Sequence, residues 1–173
     1  MATTTENLCE ATGLGRSSIY NGFTSKRALF VWSLTYCTGM MARRQLAVLG
    51  RPDGSAVTRL QNLLASVVDA EDACRAEGCG IGCLGVNSTT EVAGSDPEVV
   101  RILRRDLRQR LAAFCDVIAA GQLAGEVSCL RTADALALYL NVAIAGMRVS
   151  AQIGADRAAL EGIAAATLDA LAP

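Results

Sequence analysis

The stretch ATGLGRSSIYNGFTSKRALF, residues 11–30, decides how the rest of this 173-residue chain is read. Thr3-x-x-Glu6 just before it resembles a capping box, which predicts a short helix from about residue 4 to Thr12, stopped at Gly13. Leu14 to Asn21 can form a second short helix, and Ser25 is placed to cap a third, longer one carrying Leu29, Trp32, Leu34 and Met41. Helix, glycine-containing turn, second helix is the geometry that sets a recognition helix into the DNA major groove. A second helix starting near Gly15 would point Arg16, Ser17 and Ser18 outward and turn Ile19 and Phe23 back toward Leu8 and Leu29. Arginine suits the O6/N7 pair of guanine, and serine hydroxyls suit base edges or phosphates. Tyr20, Asn21 and Lys26 complete the candidate surface, Tyr20 and Lys26 as phosphate contacts. Helix pairs joined at a glycine also occur in proteins that never touch DNA, so spacing alone leaves both readings open.

Outward from this stretch, helical periodicity dominates and no segment alternates cleanly enough to predict a strand. GRPDGS at 50–55 is a break, and Val57, Leu60, Leu64 and Val67 then mark one face of a helix over 55–75. Four glycines in AEGCGIGCLG (76–85) interrupt it. Asp96-Pro97-Glu98 is a helix start, with a capping acid, proline at the first helical position and a carboxylate in the positive first turn. Val100, Leu103, Leu107, Leu111, Phe114 and Ile118 then line one face to Gly121. Residues 132–153 are apolar almost all round, and a last helix from about Asp156 shows small residues on much of its surface. Two such helices predict a homodimer built through the last two helices, the alternative being two ordinary core helices of a monomer.

Composition and charge narrow the class. Apolar residues make up 51% and aromatics 4%, but the longest nearly apolar run, 135–147, falls short of the roughly 20 residues a membrane span needs. With no signal-peptide pattern at the N-terminus, a cytoplasmic protein with no membrane partner is expected. Seven cysteines with no C-x-x-C pair, and no histidine at all, support neither a disulfide framework nor a metal site. Residues 1–44 carry net charge +3 and residues 45–173 carry −4, which allows a polyanion partner at the N-terminal end only. No nucleophile elbow or P-loop is present, and GCGIGCLG is not the dinucleotide-binding glycine pattern, so neither an enzyme nor a cofactor is expected.

The segment TTTENLCEATGLGRSSIYNGFTSKRALF (3–30), with its Tyr20-x-x-Phe23-x-x-Lys26-x-x-Leu29 run, resembles the helix-turn-helix of the TetR family of bacterial transcriptional regulators. GCLGVNSTTEVAGSDPEVV and the closing GADRAALEGIAAATLDAL are similar to the ligand-binding and dimerisation region of one large subgroup of that family. The resemblance implies an all-α fold: a small helix-turn-helix head and connecting helix over 1–44, on a larger ligand-binding and dimerisation domain over 45–173. It implies a homodimer that binds a palindromic double-stranded operator, usually as a repressor, and leaves it when a small apolar or amphipathic molecule enters the C-terminal domain. It also implies a first helix, some 20–30 residues of sequence, ahead of the motif. Met1 stands where that helix would end, so the head is expected to be incomplete, with Leu8, Ile19, Phe23 and Leu29 partly uncovered. Four large apolar side chains left unburied would cost about 6–12 kcal/mol, against the roughly 5–15 that holds a domain together. The expectation is a true start upstream of Met1; the alternative is a truncated ligand-binding dimer without effective DNA binding.

In the body, the expected ligand cavity is lined by Trp32, Leu64, Asn87, Phe114, Tyr139 and Asn141, the polar members as candidate ligand contacts because a buried polar group needs a partner. Cys83 and Cys79 flank a glycine-rich turn ahead of a helix, where a thiol gains reactivity, and GC before an apolar helix resembles the reactive-cysteine position of electrophile-sensing family members. A thiol-based sensor is therefore the further alternative, set against cysteine's ordinary role as a small buried hydrophobe. The basic run Arg101, Arg104, Arg105, Arg108 and Arg110 reads as a solvated helix face with weak ion pairs and is assigned no function.

Overall fold

A computed structural model describes residues 4–51, 54–77, 83–92 and 94–173. Its secondary structure is helical throughout, with no strand among the described residues: α1 (Thr5–Thr12), α2 (Arg16–Gly22), α3 (Lys26–Leu49), α4 (Ala56–Ala76), α5 (Leu84–Glu91), α6 (Pro97–Leu123), α7 (Ala133–Gln152) and α8 (Arg157–Asp169).

Local chemistry sets most of the ends. Ser25, Ser55, Asp96, Thr132 and Asp156 each turn a side-chain oxygen onto a free amide of the first turn behind them, and Pro97 opens α6 where its missing N–H costs nothing. At the first helix the capping box is built one residue later than expected. Thr4 accepts from the Asn7 amide at 3.2 Å and the Asn7 side chain accepts from the Thr4 amide at 2.9 Å, while Thr3 lies outside the described residues. Glu6, the expected partner, points instead to Arg16. Gly13 closes α1 at φ +68, the left-handed conformation glycine adopts without strain. The second helix begins at Arg16 rather than Leu14, because Gly15 stays extended at its cap. α3 runs unbroken through residue 44 to Leu49, joining head and body without a hinge.

The core lies in the body. α6 packs on α3 and α7, and α4 on α8, α7 and α3. Leu60, Leu63 and Leu64 of α4 meet Phe114 and Ile118 of α6, Leu140, Ile144 and Met147 of α7, and Leu160 of α8 in one sealed cluster. α3 contributes a stripe at Leu34, Thr38, Ala42, Gln45 and Leu49, the spacing one buried helix face requires, and Leu49 joins that cluster. Gly121 sits where α6 crosses the start of α4 and the loop after α6. A Cβ there would come within 2.6 Å of Val127 Cγ2 and 2.7 Å of Ala56 Cβ. Among the described residues no helix is long and apolar enough to cross a membrane.

Candidate functional site

Two places in the fold carry polar chemistry: the α1–α2 head and a cavity in the body. In the head, Ile19 is buried at 7% exposure, so the expectation of an uncovered Ile19 is corrected; Leu8, Phe23 and Leu29 are half-buried as expected. Arg16, Ser17 and Ser18 form the first turn of α2 and are exposed, as are Tyr20, Asn21 and Lys26. The six residues therefore share the solvent side of one short helix and the start of the next. Arg16 pairs with Glu6, and the Tyr20 hydroxyl lies 3.2 Å from that of Thr5, so both side chains are already leaned against α1. Free amides at the start of α3, one taken by Ser25, lie beside Lys26. An exposed arginine, two serines and a tyrosine with a following lysine suit base edges in a groove flanked by phosphates.

The cavity lies between α3, α5, α6 and α7 and encloses about 480 Å³, within the roughly 300–1,000 Å³ typical of small-molecule sites. Much of its wall is apolar, including Met41, Val86, Val100, Leu103, Leu107 and Ile144. The cavity explains an unevenness along α6. Phe114 and Ile118 are sealed at 1% and 0% exposure, yet Val100, Leu103 and Leu107, earlier on the same stripe, are only half-buried.

Charge is concentrated on one side of this wall. Arg148 of α7 is buried, its Nη1 is 3.2 Å from the Cys83 sulfur, and its Nε stands 3.8 Å from a carboxylate oxygen of Glu71, too far for a hydrogen bond. Arg110 pairs with Asp106 at 3.0 Å one helical turn away. Burial pushes the Asp106 carboxyl above its ordinary range against the pull of Arg110 and Arg148, and burial likewise raises Glu71 against Arg148 and Arg75. Burial also raises the Cys37 thiol, with Cys83 adding to the shift. Gln45 is 95% buried, and among the described residues neither its amide nitrogen nor its oxygen has a hydrogen-bond partner; the same is true of Nε of Arg110 and of Arg148. Each such group costs about 1–3 kcal/mol until something satisfies it.

Of the residues expected to line the cavity, Asn141 does. Leu64 and Phe114 are instead closed into the core, because α4 packs behind α6 and α7 rather than beside the cavity. Trp32 is exposed, stacked on Tyr36 at 5.4 Å and set edge-on to Phe23. Tyr139 is exposed on the outer face of α7, and Asn87 is half-buried on α5 beside the lining residue Val86. Cys83 is on the cavity wall and Cys79 lies outside the described residues. Gln45, Arg110 and Arg148 were not expected there. Arg148 had left a signal, as the one charge between Ala135 and Ile153 on a helix otherwise apolar all round. Arg110, read as part of a solvated face, is half-buried on the cavity wall, while Arg104 is exposed as that reading expects and borders the cavity from its edge. Among the described residues no cluster of three or more histidine, cysteine or acidic side chains could hold a metal.

Comparison with known proteins bears on both places. Residues 56–167 match the family model described as the tetracyclin repressor-like C-terminal domain. The transcriptional repressor ComR of Escherichia coli K12 is 26% identical over 167 residues, 96% of this chain and 78% of ComR. The crystal structure of a TetR regulatory protein from Rhodobacter sphaeroides superposes with a TM-score of 0.85 at 19% identity, covering 98% of this chain and 88% of the other. The regulator CifR, solved as a cysteine mutant on a 26-base-pair double-strand operator, superposes at 0.77 with 23% identity over 98% of this chain and 86% of its own. The family model spans most of the chain and includes α5, α6 and α7 of the cavity wall: the protein belongs to the TetR family and is a transcriptional regulator rather than an enzyme.

Proposed function

We propose that the protein is a one-component repressor of the cytoplasm. It binds a palindromic operator as a homodimer through Arg16, Ser17, Ser18, Tyr20, Asn21 and Lys26, and leaves it when a small amphipathic molecule occupies the cavity between α3, α5, α6 and α7. The residues divide as a head and connecting helix over 1–44 and a ligand-binding and dimerisation domain over 45–173. The observation that carries this reading is the continuity of α3. Lys26 at its start belongs to the exposed polar surface of the head, and Cys37, Thr38, Met41 and Gln45 further along the same helix line the cavity. A ligand that moves this stretch of α3 must also move the head, since no break lies between them. Two recognition helices have to stand about 34–36 Å apart to meet successive major grooves, so a small rotation of each head is enough to separate the dimer from DNA.

Support for a homodimer comes from the outer face of α7, where Leu138, Tyr139, Val142 and Val149 are exposed at helical spacing. The test is a gel shift with DNA from upstream of the protein's own coding sequence, using this chain and one extended upstream of Met1. Binding at nanomolar to micromolar protein is expected; no retardation by either would sink the regulator reading and favour a ligand-binding dimer that does not act on DNA.

One contact favours a second, thiol-based reading of the response. Cys83 and Cys37 both line the cavity, and Cys83 is held by a buried guanidinium. If thiol reagents release the operator and Cys83→Ser abolishes that release, the signal is chemical modification rather than reversible binding. A Cys83→Ser response equal to wild type excludes it.

A further inference from the structure

We propose that the molecule taken by this cavity is a small monocarboxylic acid with an apolar body, its carboxylate held among Gln45, Arg110 and Arg148. The inference rests on reading the cavity as the effector site of a regulator, and adds the chemical class of the effector.

Three observations converge on it. Gln45 is 95% buried on the cavity wall with both amide atoms unpartnered among the described residues. A glutamine sealed in this way is disfavoured unless a ligand group completes its hydrogen bonds. Two further donors lack acceptors, the Nε groups of Arg110 and Arg148, and both residues line the same cavity. Donors without acceptors are therefore in excess, which is the deficit a carboxylate fills, since it accepts at two oxygens and gains most from guanidinium partners. The third observation is charge. Arg110 and Arg148 stand against Asp106 on the wall and Glu71 behind Arg148, and the exposed Arg104 adds a positive charge at the cavity's edge, so the site as a whole favours an anion.

Close alternatives fit the site less well. A neutral ligand forgoes the stronger charge-assisted hydrogen bonds that the guanidinium groups offer a carboxylate, and a dianion such as a phosphate monoester brings a second negative charge beside two carboxylates already nearby. The apolar part of the wall, Met41, Val86, Leu103, Leu107 and Ile144, supplies the surface for a hydrocarbon or aromatic body.

The test uses the full chain with octanoate and 3-phenylpropionate, their primary amides, and phenyl phosphate, followed by calorimetric titration and thermal shift. Saturable binding of the two acids is expected, with the amides and the phosphate at least tenfold weaker. Gln45→Glu, which keeps the shape and adds a negative charge, should weaken acid binding at least tenfold. Gln45→Leu should raise the melting temperature of the unliganded protein and also weaken the acids. Amides or phosphate that bind as well as the acids, acids that show no saturable binding, or a Gln45→Glu protein that binds acids like wild type would each overturn the proposal. Operator release separates it from the reading beneath it. Amides that release the operator where acids do not overturn the carboxylate assignment and leave the regulator standing, whereas acids that bind without altering operator affinity uphold the carboxylate site and overturn its role as effector site.

Discussion

Arg27, at the head end of α3, donates from Nε and Nη2 to the two carboxylate oxygens of Asp96 at 2.8 and 2.9 Å, and Nη2 reaches Glu98 at 2.9 Å as well. Asp96 is the cap of α6, whose next turns line the cavity. The paired hydrogen bonds from Arg27 hold the Asp96 carboxyl below its usual range. The head end of α3 is thereby fastened directly to the start of the ligand-facing helix, and the fastening and the cap share one side chain. Asp96→Asn keeps an oxygen for the amides of Glu98 and Val99 but loses the ion pair, so it should lower the melting temperature less than Asp96→Ala, which loses both. The gap between wild type and Asp96→Asn should narrow in 1 M salt, where charge interactions are screened beyond about 3 Å. Equal melting temperatures for the two variants would show that the cap contributes nothing.

Acidification should act on this protein in two opposing ways. Asp96, with its folded pKa lowered, contributes stability above the ordinary aspartate value of about 3.9, and that contribution is lost as pH falls through the lower folded value. Glu71 and Asp106 are shifted upward by burial, so the folded state takes up their protons first and gains stability as pH falls through their raised values. Thermal melts between pH 3 and 8 should therefore show Glu71→Gln losing part of the gain on mild acidification, and Asp96→Asn losing part of the steep decline at the acid end. A Glu71→Gln profile parallel to wild type throughout would contradict the buried-carboxylate assignment.

On the DNA side, Arg16→Ala is expected to weaken operator binding by about 1–3 kcal/mol and to relax preference at one base position. Lys26→Ala should weaken all sequences alike and reduce the slope of log affinity against log salt by about 1. The Glu6 partner of Arg16 adds a refinement, since Glu6→Gln frees the guanidinium and should tighten binding to any duplex. Competition binding with operator variants distinguishes these outcomes; loss of the same size on every sequence from Arg16→Ala would make it a phosphate contact.

Val142→Glu places a charge at the middle of the exposed apolar face of α7. Light scattering after gel filtration should then report the mass of one chain in place of two, with helix content by circular dichroism unchanged. A Val142→Glu protein that still elutes as a dimer moves the interface elsewhere.

Gly121→Ala is expected to destabilise the fold by about 1–3 kcal/mol, a fall of about 2–4 °C in melting temperature for each kcal/mol in a chain of this size. The added methyl would meet Val127 and Ala56 at distances no packed carbon accepts. Val127→Ala in the same chain should recover part of the loss by removing one of the two clashes. A Gly121→Ala melting curve superimposable on wild type would mean that the α4–α6 crossing relaxes freely.

What the sequence by itself determined is local. Ser25, Ser55, Asp96-Pro97 and Gly13 announce helix ends because capping and left-handed turns depend on neighbours within four residues. The Tyr20-x-x-Phe23-x-x-Lys26-x-x-Leu29 run and the glycine turn before it were legible for the same reason, as was the family. Even there, one residue of capping register escaped, because Thr3, Thr4 and Thr5 are chemically equivalent and only the turn geometry chooses Thr4. The cavity was decided by the tertiary structure. Leu64 and Phe114 are as apolar as Leu103 and Leu107, and nothing along the chain says that α4 closes over the first pair while α5 and α3 leave space beside the second. Gln45 reads as one more polar residue of a long helix until α6 and α4 pack against α3 and it is shut in. Periodicity tells which residues share a face; how far the facing helix stands away, and therefore whether that face is core or cavity, is fixed only when the helices pack and residues 45, 110 and 148 come to line one cavity.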